Sequence, residues 1–181
     1  MDPGSQATGY GVVDRVGSRL CWVAHGVLRP GCGASLSMRL AGLAADLTEL
    51  IERYRPDVAS VEEVFVAASP RSALVLGQAR GVVLAALGAG AVPMVEYAPA
   101  RIKLAVSGHG RAAKAQMQRM VQRLLELERT PPADAADALA AAICHAHAGP
   151  LEKLRRPAPR RRSQRPTAAG WLGRVRVRRA P

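Results

Sequence analysis

Four acidic side chains stand at positions where folding could bring carboxylates together. Asp2 opens a Gly-rich segment, Glu62 lies in the apolar run 58–65, and Asp134 and Asp137 follow a Pro-Pro pair. Asp134 and Asp137 share one face of a predicted helix, because residues three apart are neighbours on a helix surface. Clustered carboxylates repel one another unless cations neutralise them, and oxygen ligands suit hard divalent ions. Such sites often carry out metal-assisted cleavage of phosphodiester bonds.

Each acidic position also has a purely structural explanation. Aspartate after Pro-Pro is typical of a helix start, where the helix dipole favours negative charge. Asp-Pro-Gly is ordinary turn sequence. Glu62 is harder to explain in this way, because alternation along a strand places Glu62 and Glu63 on opposite faces. An inward carboxylate is costly unless it is paired or bound to metal. The residues alone therefore leave both explanations open.

The charge distribution divides the chain of 181 residues into a domain and a tail. Residues 151–181 hold ten Arg and one Lys against Glu152 alone, which is +10 of the formal net charge of +12. Prolines interrupt this segment, and it lacks the apolar residues needed to form a core. We expect a folded domain over residues 1–149 and a disordered basic tail over residues 150–181. The tail either binds nucleic acid non-specifically or is simply a solvated end.

Hydropathy and cysteine usage indicate the cellular setting. No run of about 18 uncharged apolar residues is present, so no membrane-spanning helix is expected. The three cysteines are odd in number and are not in C-x-x-C spacing. Such cysteines are typical of free thiols in a reducing compartment, which predicts a cytoplasmic protein.

The hydrophobic periodicity predicts the elements that must position the four carboxylates. Strands are expected over 10–16, 20–28, 57–65 and 92–97, the first two forming a hairpin. Helices are expected from Ser35 or Ser37 to Pro56, and over 71–87, 99–106, 113–124 and 133–147. Antiparallel strands followed by alternating helices and strands predict an α/β fold, with a mixed sheet flanked by helices.

Five motifs in order show that the chain resembles the RuvC family of Holliday junction resolvases, from residue 2 to about residue 147. The motifs are DPGS at 2–5 with TGYG at 8–11, VEEVF at 61–65, SALVLGQARG at 72–81, GHGRAAKAQ at 108–116 and DAADALA at 134–140. The first motif alone would carry no weight. Five at family-like spacing, over four-fifths of the chain, make a specific resemblance.

The resemblance implies an RNase H-like fold and a homodimer that nicks two strands of like polarity in a four-way DNA junction. It implies a catalytic, metal-binding set of Asp2, Glu62, Asp134 and Asp137. These residues would hold Mg²⁺, two ions per subunit roughly 3.5–4 Å apart, with Mn²⁺ able to substitute. The RuvA–RuvB branch-migration complex becomes a candidate partner.

The resemblance also suggests DNA contacts. Phe65 matches the family's aromatic residue beside the catalytic Glu, although a core or dimer-contact role is the alternative. Lys103 and Lys114 match lysines that approach the scissile phosphate. Arg80 and Arg111 are weaker candidates for phosphate contacts.

Two departures from the family pattern concern junction cleavage. The family has about five residues before the Asp, forming the central strand, whereas only Met1 precedes Asp2 here. A mis-assigned start or a degenerate copy would explain this. In the second case Asp2 would lie on a mobile terminus, and the chain would bind junctions without cutting them. The second departure is Ala68-Ser69-Pro70, where family members often carry Lys-Asn.

Overall fold

The computed structural model describes residues 1–4, 6–31, 33–63 and 69–152, with side chains described as far as residue 148. Its elements, in chain order, are β1 Thr8–Val16, β2 Arg19–Leu28, α1 Leu36–Tyr54, β3 Ala59–Glu62, α2 Pro70–Ala89, β4 Met94–Tyr97, α3 Pro99–Ser107, α4 Lys114–Leu124 and α5 Ala133–Glu152. The predicted order of elements and the α/β class are confirmed.

Local sequence accounts for where the elements begin and turn. Gly17, at φ 63°, sits in the turn between β1 and β2. The Ser35 hydroxyl accepts a hydrogen bond from the Met38 amide and caps α1, and Ser69 caps α2 in the same way ahead of Pro70. These are the side-chain caps and N-terminal proline typical of helix starts.

Several element boundaries differ from the sequence prediction by a few residues. β3 ends at Glu62 rather than at Phe65, and Phe65 itself lies outside the described residues. β4 begins at Met94 rather than at Val92. α5 extends to Glu152, past the expected domain boundary at residue 149. The rest of the predicted tail lies outside the described residues.

The strands form two pairs that the N-terminal residues join. β1 pairs antiparallel with β2, and β3 pairs parallel with β4. Asp2 exchanges two backbone hydrogen bonds of 3.0 Å with Gly9 of β1. Met1 donates from its nitrogen to the Ser60 carbonyl of β3 at 2.8 Å and accepts from the Glu62 amide at 3.4 Å. Met1 and Asp2 therefore lie between β1 and β3 as one short strand segment.

This anchoring corrects one expectation. The sequence suggested that Asp2 would lie on a mobile terminus, but its backbone is bonded to β1 and that of Met1 to β3. Beyond Met1, a groove of about 830 Å³ separates β1 from β3, with Tyr54 and His145 in its lining. The backbone of Asp2 is therefore fixed, although this groove lies beside it.

The core is built mainly from small aliphatic side chains, as the low aromatic content predicts. One buried cluster joins α3, α4 and α5 around Tyr97, and a second joins α1, α2 and β3 around Leu47 and Val83. α5 contributes a run of buried alanines and packs closely across β1. That close packing fixes the first turns of α5 against the strand that holds Asp2.

α2 is only partly covered by the rest of the described chain. By length and composition alone it is apolar enough to cross a membrane, and 17% of its apolar window is buried. The sequence prediction concerned about 18 consecutive uncharged residues, and Arg71 and Arg80 interrupt this helix. The Arg80 side chain of α2 bonds to groups of β3 and β4. α2 thus packs on the sheet and leaves an apolar outer face.

We expect Gly9→Ala to destabilise the protein and misplace Asp134. A Cβ on residue 9 would collide with the Asp134 carbonyl oxygen, so β1 and α5 would have to separate. Overpacking of this kind typically costs about 1–3 kcal/mol. Urea unfolding measures the cost. The control is Gly42→Ala in α1, where the new Cβ meets only Pro30 at an ordinary 3.5 Å. A Gly9→Ala protein as stable as the control would contradict this account of the packing.

Candidate active site

Three separate parts of the backbone deliver the four predicted carboxylates to one end of the sheet. Asp2 is bonded to Gly9, and Gly9 abuts the first turn of α5 at Asp134. Glu62 is the last residue of β3 and lies beside Met1. Asp137 lies one turn after Asp134 on α5. All four side chains are partly buried.

The electrostatics show that these carboxylates act on one another. Burial, together with the charges of Asp137 and Asp134, raises the pKa of Asp2 to about 6. Burial, together with the charges of Asp2 and Asp137, likewise raises the pKa of Glu62 to about 7. A carboxyl whose pKa is raised by burial and by like charges lacks a sufficient counter-charge. The cluster therefore favours binding of protons or cations.

Two lysines lie within reach of this negative charge. Lys114 Nζ is 3.3 Å from Asp137 Oδ2, and Asp137 is the largest cause of the raised pKa of Lys114. The charge of Lys103 opposes the rise in the pKa of Glu62. Lys114 remains mostly exposed, so its amine is also open to an incoming anion. Both predicted lysines thus border the carboxylate cluster, while Phe65 lies outside the described residues.

The carboxylates suit a hard divalent cation by chemistry, because all of the candidate ligands are oxygen atoms. Among the described residues, however, no three His, Cys, Asp or Glu side chains converge closely enough to hold one ion as they stand. Asp137 is instead paired with Lys114. A bound cation would have to compete with this lysine for Asp137 and draw the carboxylates inward.

Two histidines have local contacts. His145 Nδ1 lies 2.8 Å from the Tyr97 hydroxyl, beside the core. His109 bonds to the backbone of its own turn through Ser107. These contacts give both histidines structural roles.

Arg80 has partners within the protein. Its Nη1 donates to the Glu62 carbonyl oxygen at 2.9 Å, and its Nη2 pairs with Glu96 Oε1. The side chain is only 19% exposed, and these two bonds tie it to β3 and β4. The contact with Glu62 could not be predicted from the sequence, because spacing along the chain does not indicate which strand carbonyl an arginine reaches.

Comparisons with known proteins connect this arrangement to one family. The family model described as "Crossover junction endodeoxyribonuclease RuvC" matches residues 1–145. The crossover junction endodeoxyribonuclease RuvC of Ralstonia pickettii is 51% identical over 149 residues, which cover 82% of each chain. Its counterpart from Paracidovorax citrulli is 54% identical over 151 residues, covering 82% of this chain and 83% of the other. The structure of Thermus thermophilus RuvC in complex with a Holliday junction superposes with a TM-score of 0.78 at 34% identity, covering 83% of this chain and 93% of the other.

Proposed function

This chain belongs to the RuvC family, and we propose that it resolves Holliday junctions through the carboxylate cluster of Asp2, Glu62, Asp134 and Asp137. It is a crossover junction endodeoxyribonuclease with the RNase H-like α/β fold of that family. The observation that carries the site assignment is the mutual repulsion of Asp2, Glu62 and Asp137 beside Lys114. No observation favours a protein that binds junctions without cutting them.

We further propose that the cations are Mg²⁺, two per subunit, and that Mn²⁺ can replace them. When bound, such ions supply an activated water molecule and stabilise the oxygens that attack and leave the phosphorus. The chain's own contribution is to hold four carboxylates at one end of the sheet, where burial and like charges raise the pKa of Asp2 and of Glu62. We propose that Lys114 exchanges Asp137 for a phosphate oxygen and that Lys103 holds the backbone of the cut strand near Glu62; the ion pair of Lys114 with Asp137 and the effect of the Lys103 charge on Glu62 support these roles.

A nicking assay on a four-way junction tests the function. We expect paired nicks in two strands of like polarity with Mg²⁺ or Mn²⁺, and binding without nicks in Ca²⁺. Linear duplex of the same sequence is the matched control substrate. Binding without nicks in every metal would favour a junction-binding protein that cannot cut. Nicking of RNA but not of junctions would favour a different nuclease of this fold.

The outer face of α2 supports a homodimer. Leu74 is 65% exposed and Leu84 is 38% exposed. On the same stripe, a Cβ added at Gly77, Gly81 or Gly88 would meet no heavy atom of the described chain within 4 Å. Small residues between exposed leucines let two helices approach closely, and apolar faces of this kind mark interaction sites. We propose that α2 packs against α2 of a second copy.

Leu84→Glu should weaken the dimer, because it places a charge within this apolar stripe. We expect the dissociation constant of the dimer to rise at least about tenfold, which corresponds to about 1.4 kcal/mol. Sedimentation velocity measures it. Leu104→Glu on α3, where Leu104 is 56% exposed, is the matched control. Equal dimer stability in the two variants would remove α2 from the interface.

The branch-migration partner and the cellular compartment are also proposals. The RuvA–RuvB branch-migration complex is the partner that would present the junction. The structure describes Cys21 and Cys144 as thiols and not as disulfides, which supports the proposal of a reducing cytoplasm. Phe65, in the segment that follows β3, is proposed to contact bases near the crossover.

A further inference from the structure

Met1 forms two backbone hydrogen bonds with β3, and the next hydrogen bond of that pairing, which residue 3 would donate, is missing. Met1 donates to the Ser60 carbonyl and accepts from the Glu62 amide, which is the alternation of a parallel ladder. The next donor in that alternation would be the amide of residue 3, directed at the Glu62 carbonyl. Residue 3 is a proline and has no N–H to donate. The sheet therefore leaves the Glu62 carbonyl without its regular partner.

Arg80 fills this place from α2. Its Nη1 donates to the Glu62 carbonyl oxygen at 2.9 Å, and its Nη2 pairs with Glu96 on the adjacent strand β4. A guanidinium presents several donors in one rigid plane, so a single arginine can tie two strands together. The bond lies at Glu62, the last residue of β3.

We propose that Arg80 is a positioning residue for Glu62, supplying the hydrogen bond that Pro3 cannot make. The inference rests on the proposed role of Glu62 as a metal ligand. By fixing the peptide group that follows the Glu62 Cα, Arg80 limits the directions in which the carboxylate projects towards Asp2 and Asp137. Residues that orient metal ligands in this way typically change metal affinity about 10- to 100-fold when they are lost.

Metal affinity separates positioning from a simple charge effect. If Arg80 acted only through its charge, its removal would take a cation away from the site and tighten Mn²⁺ binding. If Arg80 positions Glu62, its removal should weaken Mn²⁺ binding instead. The two roles therefore predict opposite signs for the same measurement. A phosphate-binding role predicts a third result, in which junction affinity falls and Mn²⁺ affinity does not.

The experiment measures Mn²⁺ binding to the full chain by calorimetry without DNA, junction affinity in Ca²⁺, and nicking rate against Mn²⁺ concentration. For Arg80→Ala we expect about tenfold weaker Mn²⁺ binding and a matching shift in the Mn²⁺ needed for nicking. Junction affinity should stay within about twofold. Arg80→Lys, which keeps one donor, should lose less. Arg71→Ala removes an exposed arginine from the same helix and is the control.

A second variant tests the missing amide directly. Adding Pro3→Ala to Arg80→Ala gives residue 3 an N–H that can reach the Glu62 carbonyl, so the double variant should recover part of the lost Mn²⁺ affinity. If the effects of Pro3→Ala and Arg80→Ala on Mn²⁺ affinity simply add, residue 3 and Arg80 do not compete for the Glu62 carbonyl. Circular dichroism and thermal unfolding of each variant check that the fold survives.

Two outcomes distinguish failure of this proposal from failure of the site assignment. If Glu62→Gln loses Mn²⁺ affinity while Arg80→Ala and Arg80→Lys do not, Arg80 does not position the ligand. If Glu62→Gln itself binds Mn²⁺ and nicks junctions like the unmodified protein, Glu62 is not a ligand and the proposed function fails at that residue.

Discussion

Asp137→Asn should eliminate junction nicking, lowering the rate by at least about 10³-fold, while junction binding in Ca²⁺ stays within about twofold. Asparagine keeps the shape of the side chain but replaces an anionic oxygen with an amide. Asp137 faces both Asp2 and Glu62 and pairs with Lys114 at 3.3 Å, so it is the carboxylate most closely connected to the others. Single-turnover nicking with Mg²⁺ measures the rate, and a gel shift measures binding.

The stability of Asp137→Asn helps to interpret the result. The lost ion pair with Lys114 is largely exposed on the lysine side, and such pairs contribute about 0–1 kcal/mol. Relief of repulsion on Asp2 and Glu62 offsets that loss, so thermal unfolding should change little. Asp14→Asn, an exposed aspartate on β1, is the matched control and should nick normally. Nicking by Asp137→Asn at the unmodified rate would exclude Asp137 from the active site.

The local elements could be predicted from sequence because the signals are local. Ser35 and Ser69 cap helices through their own hydroxyls, and Gly17 closes a two-residue turn. The choice of Glu62 over Glu63 rests on the family motif, and in the structure the charges of Asp2 and Asp137 help to raise the pKa of Glu62. These features need only a few neighbouring residues, or one motif, to be recognised.

The contacts that join distant elements could not be predicted in the same way. The bond from Arg80 to the Glu62 carbonyl depends on Pro3 lacking an amide and on α2 passing over the end of β3. The bonds of Met1 to β3 likewise replace the expected loose terminus with a fixed one. Each contact arises only when three segments of backbone meet, and no periodicity in the sequence indicates such a meeting.

Glu62→Gln should stabilise the metal-free protein at pH 8 while eliminating nicking. In the folded state the pKa of Glu62 is about 7, against an ordinary value of 4.5, and that of Asp2 is about 6, against 3.8. The unfolded chain therefore releases these protons at lower pH than the folded one. The contribution of these two groups to the free energy of unfolding should be highest below about pH 4. It should be lost as the pH rises through about 6 to 7.

Removing the Glu62 charge should restore the part of the folding stability that ionised Glu62 costs, on the order of 1–3 kcal/mol at pH 8. Urea unfolding in EDTA at pH 4.5 and pH 8 measures it, with Glu63→Gln as the control for loss of one carboxylate. A Glu62→Gln protein less stable than the unmodified one at pH 8 would contradict the conclusion that the Glu62 carboxylate is destabilised by burial and by its acidic neighbours.

A divalent cation should act on this site as a proton does, because both neutralise the same carboxylates. Adding Mn²⁺ at pH 8 should therefore raise the unfolding temperature of the unmodified protein and have a smaller effect on Glu62→Gln. The instability of the empty cluster and its affinity for metal would then have one physical cause, the crowding of carboxylates at the end of the sheet. If Mn²⁺ gave the unmodified protein no added stability at pH 8, these side chains would not share a cation.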